Sequence, residues 1–95
     1  MNKKKPYFVY ILRCCDKTFY TGITTGLKRR IKEHNTGKGA KYTAIRAPVK
    51  CIYWETSKNR STATIREREI KRYPRTKKWK LVRSRWKIRK KKLKI

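Results

Sequence analysis

The sequence is poor in acidic residues, in histidine and in long apolar runs. Its 95 residues include only 5 Asp or Glu against 31 Lys or Arg, which gives a formal net charge of +26. Val, Ile, Leu and Phe together supply only 18 residues, which is close to the share below which a highly charged chain is expected to be disordered. The length allows one compact domain and therefore excludes an enzyme with a separate cofactor domain.

Apolar runs are too short to cross a bilayer, which takes about 20 residues, and residues 1–6 lead into a strand-like segment without a signal-peptide core. A cytoplasmic protein is therefore predicted. The three cysteines, Cys14, Cys15 and Cys51, are an odd number with two adjacent in sequence, which does not suit a disulfide framework. A zinc site needs paired ligands, and only one histidine is available. The cysteines are therefore predicted to be buried strand residues.

The aromatic and apolar residues nevertheless recur with regular spacing, which predicts an α+β fold. Three Trp and six Tyr can each bury a large area. The pattern predicts a hairpin of two strands, a third strand and three helices. The predicted strands cover residues 7–15, 19–24 and 49–56, with a polar loop through residues 41–43.

Three helices are predicted from caps and breakers. The first begins after a cap at Thr24 or Thr25 and ends at Gly37 and Gly39. The second covers about residues 62–73 with Ser61 as its cap, and the third covers residues 75–83.

Charge divides the chain into two parts. The last 25 residues contain 14 Lys or Arg and no acidic residue. Residues 1–83 are predicted to form the domain, and residues 84–95 a basic C-terminal arm that a polyanion would order.

Helical spacing picks out Arg30 and His34. Residues four apart share a helix face, so these two lie together beside the apolar pair Leu27 and Ile31. The alternative is structural, because Arg30 is one of many cations and a lone histidine is more often a cap or a packing residue.

Glu67 lies on the same helical stripe as Ala63 and Ile70, so its carboxylate is predicted to point inward. An inward carboxylate needs a partner, either a cation such as Arg30 or a metal ion. The alternative is that Glu67 has only a structural role, as one partner of a partly buried ion pair. Glu69 falls on another face, where it can pair with surrounding cations.

Tyr10 and Tyr20 are predicted near facing positions of the first hairpin. Aromatic pairs across strands usually serve packing. A tyrosine hydroxyl becomes a useful general base only when nearby positive charge lowers its pKa, and this chain has that charge in excess.

The order and spacing of these residues carry more information than any one of them. Phe8-Val9-Tyr10, Tyr20-Thr21-Gly22, Arg30 and a helical Glu67 together resemble the GIY-YIG nuclease domain over about residues 7–83. The resemblance extends to the segments at residues 20–24, 29–35, 37–43 and 47–48. This set of segments is similar to the small stand-alone bacterial members of the family. Departures are Phe8 in place of the first motif glycine and Thr21 in the middle of the second motif. A third is the position of Glu67 between Arg66 and Arg68, two cations that could compete with a metal ion for its carboxylate.

This resemblance implies a three-stranded antiparallel sheet flanked by about three helices. It also implies a metal-dependent DNA endonuclease that hydrolyses phosphodiesters, selective for structure rather than sequence, in DNA repair or recombination. It implies catalytic roles for Tyr10, Tyr20 and Arg30, with His34 as a substitute base. Glu67 would hold one divalent cation, Mg²⁺ or Mn²⁺.

The expected partner is DNA, branched or single-stranded, with RNA left open and the protein a monomer or weak dimer. Nucleic-acid contacts are expected from cationic and aromatic residues, namely Lys28, Arg29, Lys38, Lys41, Tyr42, Lys71, Lys77 and Lys78. The main alternative is a nucleic-acid-binding protein without catalysis, for DNA or RNA and of ribosome-associated type, since charge alone suffices for it. Binding to anionic membranes is less favoured, because the tail's cations are not confined to one helix face.

Overall fold

A three-stranded antiparallel sheet with helices on both faces forms the fold. The computed structural model describes residues 5–93, with side chains described through Arg85. The elements are β1 (Tyr7–Arg13), β2 (Phe19–Thr24), α1 (Leu27–Asn35), α2 (Lys41–Ala44), β3 (Lys50–Ser57), α3 (Arg60–Arg72) and α4 (Arg75–Leu93). The sheet order is β2-β1-β3, so β1 is the central strand. The predicted α+β class with an antiparallel sheet is confirmed.

One face of the sheet is covered by α3 and α4. Val9 and Ile11 of β1 are fully buried there, together with Ala63 and Ile70 of α3 and Val82 of α4. Successive strand residues point to opposite faces, so this face takes the odd-numbered residues of β1.

The other face is covered by α1. Tyr10 and Leu12 are buried against Leu27 and Ile31, the apolar pair of that helix. Because β1 is buried on both sides, it carries an apolar run rather than an alternating pattern, as the sequence predicted. The sheet therefore separates α1 from α3 and α4, and a site built from both sides must lie at its edge.

The predicted caps of α1 and α3 are wrong. Gly26 occupies the N-cap of α1, and Thr24 Oγ1 accepts the Gly26 N–H at 3.1 Å, so this threonine closes the turn before the helix. Asn59 caps α3 in place of Ser61: its side chain accepts the Thr62 N–H at 2.9 Å in a capping box. A capping side chain must precede the first helical turn, and Ser61 lies within it.

Two further element boundaries differ from the prediction. Residues 41–44 form one helical turn where a loop was expected. The last helix does not end at Arg83 but continues to Leu93. Lys and Arg are good helix formers and no Gly or Pro follows Pro74, so a run of cations need not interrupt a helix. Most of the predicted arm lies beyond the described side chains.

An ion pair fixes α3 against β3. Arg66 donates to both carboxylate oxygens of Glu55, at 2.8 and 3.2 Å, and also contacts Glu69. The predicted pairing of Glu69 with a neighbouring cation is confirmed. A bidentate guanidinium–carboxylate pair holds its partners in one orientation, so it sets the position of the helix that carries Glu67.

The three cysteines differ in burial. Cys14 is buried, Cys51 is partly buried and Cys15 is exposed, so the prediction of buried strand cysteines is wrong for Cys15. β1 ends at Arg13, before both Cys14 and Cys15. Within residues 5–93 no helix is long and apolar enough to cross a membrane.

Candidate active site

Tyr10 and His34 form a buried hydrogen bond at the centre of the site. The Tyr10 hydroxyl lies 2.8 Å from His34 Nε2, and both side chains are at most 1% exposed. β1 supplies Tyr10 and α1 supplies His34, one turn after the apolar pair that packs the helix onto the sheet. The predicted face of Arg30 and His34 therefore points toward the sheet.

The other ring nitrogen of His34 contacts Thr43. Nδ1 lies 2.7 Å from Thr43 Oγ1, and that hydroxyl lies 3.0 Å from the Ala40 carbonyl oxygen. Gly39 lies directly against the imidazole, since a Cβ built there would be 2.4 Å from His34 Nδ1. The segment between α1 and α2 therefore encloses the histidine.

Burial raises the pKa of Tyr10 to about 12, and it outweighs the nearby Arg30, which lowers that pKa. The prediction that excess positive charge would lower the pKa of this hydroxyl is therefore wrong. Desolvation penalises the phenolate more than the arginine stabilises it. Tyr10 is consequently a neutral phenol near pH 7, and its proton needs an acceptor.

Arg30 lies beside this pair with part of its side chain in solvent. Its interaction with Tyr10 affects the pKa of both groups. Its Nη1 donates to Glu33 at 2.9 Å, while 30% of the side chain remains exposed. Glu33 also accepts from Arg29, so one carboxylate orients two guanidinium groups without neutralising both.

Glu67 is partly buried, as predicted, but its cation partner is not Arg30. The carboxylate is 19% exposed and lies 3.4 Å from Lys71 Nζ, one turn further along α3. Neither flanking arginine competes for it: Arg66 is held by Glu55 and Glu69, and Arg68 is exposed. The charge of Glu67 contributes to raising the pKa of Tyr10, so the carboxylate lies within electrostatic range of the tyrosine.

Tyr20 and Tyr42 complete the aromatic side of the site. Tyr20 is not directly opposite Tyr10 in the hairpin, because Tyr10 pairs with Gly22 and Tyr20 with Leu12. The two tyrosine rings are diagonal neighbours with centroids 6.4 Å apart.

Tyr42 contacts one aromatic ring and one cation. It stacks on Tyr20 at 6.1 Å, and Arg46 lies over it at 3.9 Å. The residue nevertheless remains 37% exposed.

A polar groove of about 290 Å³ opens next to Arg30. Three arginines line it, namely Arg29 and Arg30 from α1 and Arg60 from the start of α3. Thr24 and Thr25 add hydroxyl groups. No acidic residue lines the groove, and within the described part of the chain no carboxylate pairs with Arg60. Glu33 pairs with Arg29 and Arg30, so one carboxylate faces three guanidinium groups and the groove is positive.

The predicted nucleic-acid contacts are spread over the surface. Lys71 is joined to the site through Glu67, whereas Lys77 lies 4.2 Å from the Tyr73 ring on the side of α4. Burial and Arg75 lower the pKa of Lys78. Of the eight residues predicted to contact nucleic acid, seven are exposed and Lys78 is half-buried. In chain order the eight are Lys28, Arg29, Lys38, Lys41, Tyr42, Lys71, Lys77 and Lys78.

Thr43, Gly39 and Arg60 were not among the predicted site residues. Thr43 and Gly39 belong to a segment that already resembled the nuclease motif, but their contact with His34 depends on how the chain folds back. Arg60 is indistinguishable from other arginines in sequence. The Glu67–Lys71 pair, by contrast, follows the spacing of four that joins opposite charges on a helix, and that signal was available.

Comparison with known proteins places these features in a family. The model of the GIY-YIG catalytic domain matches residues 6–82. A UPF0213 protein of Haloquadratum walsbyi is 51% identical over 75 residues, which cover 79% of this chain and 84% of the relative. A UPF0213 protein of Staphylococcus aureus is 46% identical over 79 residues, covering 83% and 96%.

Two solved structures are also similar. The solution NMR structure of a protein from E. faecalis has a TM-score of 0.59 and 41% identity, covering 88% of this chain and 90% of that one. The NMR structure of a UPF0213 protein from Bacillus halodurans has a TM-score of 0.52 and 44% identity, covering 81% and 82%. With a matching domain model, close relatives and a shared fold, this chain belongs to the GIY-YIG domain family, a superfamily of nucleases.

Proposed function

We propose that this chain is a metal-dependent DNA endonuclease that hydrolyses phosphodiester bonds and selects its substrate by structure, in DNA repair or recombination. The observation that carries the proposal is the buried hydrogen bond between Tyr10 and His34 with the Arg30 guanidinium beside it. Hydrolysis requires a base for water and a cation for the phosphate, and this arrangement supplies both.

The base is the tyrosine together with the histidine. The attacking water gives its proton to the Tyr10 oxygen while the Tyr10 proton moves to His34 Nε2. A bond forms between the water oxygen and phosphorus, the bond from phosphorus to the leaving oxygen breaks, and the leaving oxygen takes a proton from solvent. A phenol with a pKa of about 12 does not lose its proton readily near neutral pH. Transfer of that proton to the imidazole avoids the formation of a buried phenolate.

Arg30 is the group expected to bind the scissile phosphate. Glu33 occupies Nη1, and the exposed part of the guanidinium retains other N–H donors. Arginine matches the geometry of phosphate oxygens and stays charged throughout the reaction. Tyr20, next to Tyr10 and His34, would orient the water or the phosphate.

Glu67 is the residue expected to hold a divalent cation. In the described part of the chain no cluster of three or more His, Cys, Asp or Glu side chains could hold a metal. A lone carboxylate fits Mg²⁺ or Mn²⁺, because hard cations bind protein sites through one or two carboxylates and keep water and phosphate as their other ligands. Such a cation, when bound, would neutralise charge that develops on the phosphate.

The groove beside Arg30 supports recognition through the nucleic-acid backbone. Arg29 and Arg60 line it, and within the described residues no carboxylate pairs with Arg60, which suits phosphates next to the scissile one. Nothing in the described part of the chain resembles a base-reading helix. These features favour selection by the shape of the nucleic acid.

Cleavage of labelled duplex, flap, branched and single-stranded DNA with Mg²⁺, Mn²⁺ or EDTA tests the proposal. Arg30→Ala and Glu67→Gln should bind DNA but lose at least about 10²-fold in rate, as expected when a preorganised charge is removed. Glu69→Gln is the matched control for Glu67→Gln, because it removes the same charge two residues away. Full cleavage by both site variants, or cleavage that survives EDTA, would contradict the proposal.

The alternative is binding of DNA or RNA without catalysis, which a net charge of +26 would support by itself. It predicts binding that weakens steeply with salt and no products under any metal condition. The same assay therefore decides between the two functions.

A further inference from the structure

The environment of His34 is asymmetric, because its two ring nitrogens face different partners. Nε2 lies 2.8 Å from the Tyr10 hydroxyl and Nδ1 lies 2.7 Å from Thr43 Oγ1. A hydroxyl can donate or accept, so neither contact alone says which nitrogen carries the proton of the neutral ring. A third group is needed to decide.

That group is the Ala40 carbonyl oxygen. It lies 3.0 Å from Thr43 Oγ1 and can only accept, and it also accepts the Ala44 N–H at 3.1 Å. A carbonyl oxygen has two lone pairs and can accept both bonds. The threonine hydroxyl has a single proton, and donating it to Ala40 leaves only an acceptor for His34. Nδ1 must then carry the hydrogen, and Nε2 is left with a free lone pair facing Tyr10.

Burial makes this choice consequential. His34 and Thr43 are both fully buried, so a wrong tautomer could not be compensated by water, and a lost hydrogen bond would leave polar atoms unsatisfied. Gly39 lies so close to the imidazole that a side chain at this position would collide with the ring.

We propose that Thr43 is a positioning residue that holds His34 in the tautomer protonated at Nδ1, so that Nε2 is ready to accept the Tyr10 proton. The catalytic consequence rests on the proposed nuclease function, whereas the tautomer itself does not. When Nε2 takes the proton, Nδ1–H remains bonded to Thr43, so the imidazolium keeps a partner on each side.

The chain contains one histidine, which makes the tautomer directly measurable. In ¹⁵N-labelled protein at pH 8, long-range ¹H–¹⁵N spectra of the imidazole should show a protonated Nδ1 and an unprotonated Nε2. Thr43→Ser should preserve this pattern, and Thr43→Val should lose it in favour of the other tautomer or a mixture. Thr21→Val is the matched control, because it removes a buried threonine hydroxyl that has no hydrogen-bond partner.

A wild-type spectrum with the proton on Nε2 would overturn the inference, and it would do so even if Thr43→Val failed to fold. An unchanged tautomer in folded Thr43→Val would also overturn it. In cleavage assays, Thr43→Val should lower kcat by roughly 10- to 100-fold, the usual cost of removing a group that orients a functional imidazole, and Thr43→Ser should restore it.

The two readouts separate the inference from the proposed function. If wild type shows the expected tautomer but never cleaves, the nuclease proposal fails and the positioning of His34 stands. If wild type cleaves with the opposite tautomer, the nuclease proposal stands and the role of Thr43 fails.

Discussion

The Tyr10 hydroxyl lies 2.8 Å from His34 Nε2, although 24 positions separate the two residues in sequence. One belongs to the central strand and the other to the helix that covers it, so the bond joins the sheet to α1 inside the core. It links the stability of the domain to its proposed chemistry, because losing either partner leaves the other with an unsatisfied buried group.

Replacing Tyr10 by Phe should therefore affect both properties. His34 Nε2 would lose its partner, and an orphaned buried polar atom costs about 1–3 kcal/mol, so the free energy of unfolding in urea should fall by that amount. DNA cleavage should fall by at least about 10²-fold.

Tyr42→Phe is the matched control for stability, since it removes an exposed tyrosine hydroxyl. Equal stability of Tyr10→Phe and wild type would show that the hydrogen bond contributes nothing to folding.

The stability of the protein should depend on pH through His34. Burial lowers the pKa of His34 below its usual 6.5, Arg30 lowers it further and Glu33 opposes this. The other side chains in contact with the ring are the aromatic Tyr10 and Tyr20 and the hydroxyl of Thr43. Below about pH 6.5 the unfolded chain binds a proton that the folded chain does not. The free energy of unfolding should therefore fall as the pH drops from 7 to 5, by up to about 1.4 kcal/mol per pH unit.

His34→Gln should lack this slope, because no other histidine titrates in that range. Urea titrations at pH 5, 6, 7 and 8 would measure it. A slope of equal size in the variant would assign the effect to other groups.

The polar groove predicts a specific role for Arg60 in binding. Arg60→Ala should weaken binding of a DNA duplex and reduce the slope of log K against log salt by about 1, since one phosphate contact is lost. Fluorescence anisotropy at several salt concentrations would measure both. Arg68→Ala removes the same charge from an exposed position of α3 outside the groove and should have a smaller effect; equal losses would mean that only net charge matters.

Thr21 carries a buried hydroxyl that has no hydrogen-bond partner, with 3% of the residue exposed. Thr21→Val keeps the shape and removes the unsatisfied oxygen, so the free energy of unfolding should rise by about 1 kcal/mol. Thr43→Val, where the hydroxyl is bonded on both sides, should instead lower it. Urea denaturation of the two variants would measure this, and destabilisation by Thr21→Val would indicate that the hydroxyl holds a water or ligand.

The sheet, the hairpin and α3 were predictable because local patterns determine them. Continuous apolar residues identified β1, and the spacing of Ala63 and Ile70 identified the buried face of α3. The extension of α4 to Leu93 was missed because a dense run of cations was interpreted as an arm, although Lys and Arg favour helix formation.

The site was predictable only in part. Helical spacing predicted that Arg30 and His34 share one face and that Glu67 points inward. The pairing of Tyr10 with His34, however, depends on the packing of α1 on the sheet. The direction of the pKa change of Tyr10 depends on burial, which excess charge in the sequence does not reveal. The contact of Thr43 with His34 needs the chain to fold back after α1, and no local pattern encodes that.

Two glycines restrict how the site could be altered. A methyl group at Gly22 would lie 2.5 Å from the Tyr10 oxygen, and one at Gly39 would lie 2.4 Å from His34 Nδ1. Each of the two hydrogen-bonded rings therefore packs against a glycine, where no side chain would fit. In a redesign or a directed-evolution library, Ala at either position should displace one ring and separate the tyrosine from the histidine, although every polar side chain of the site is retained.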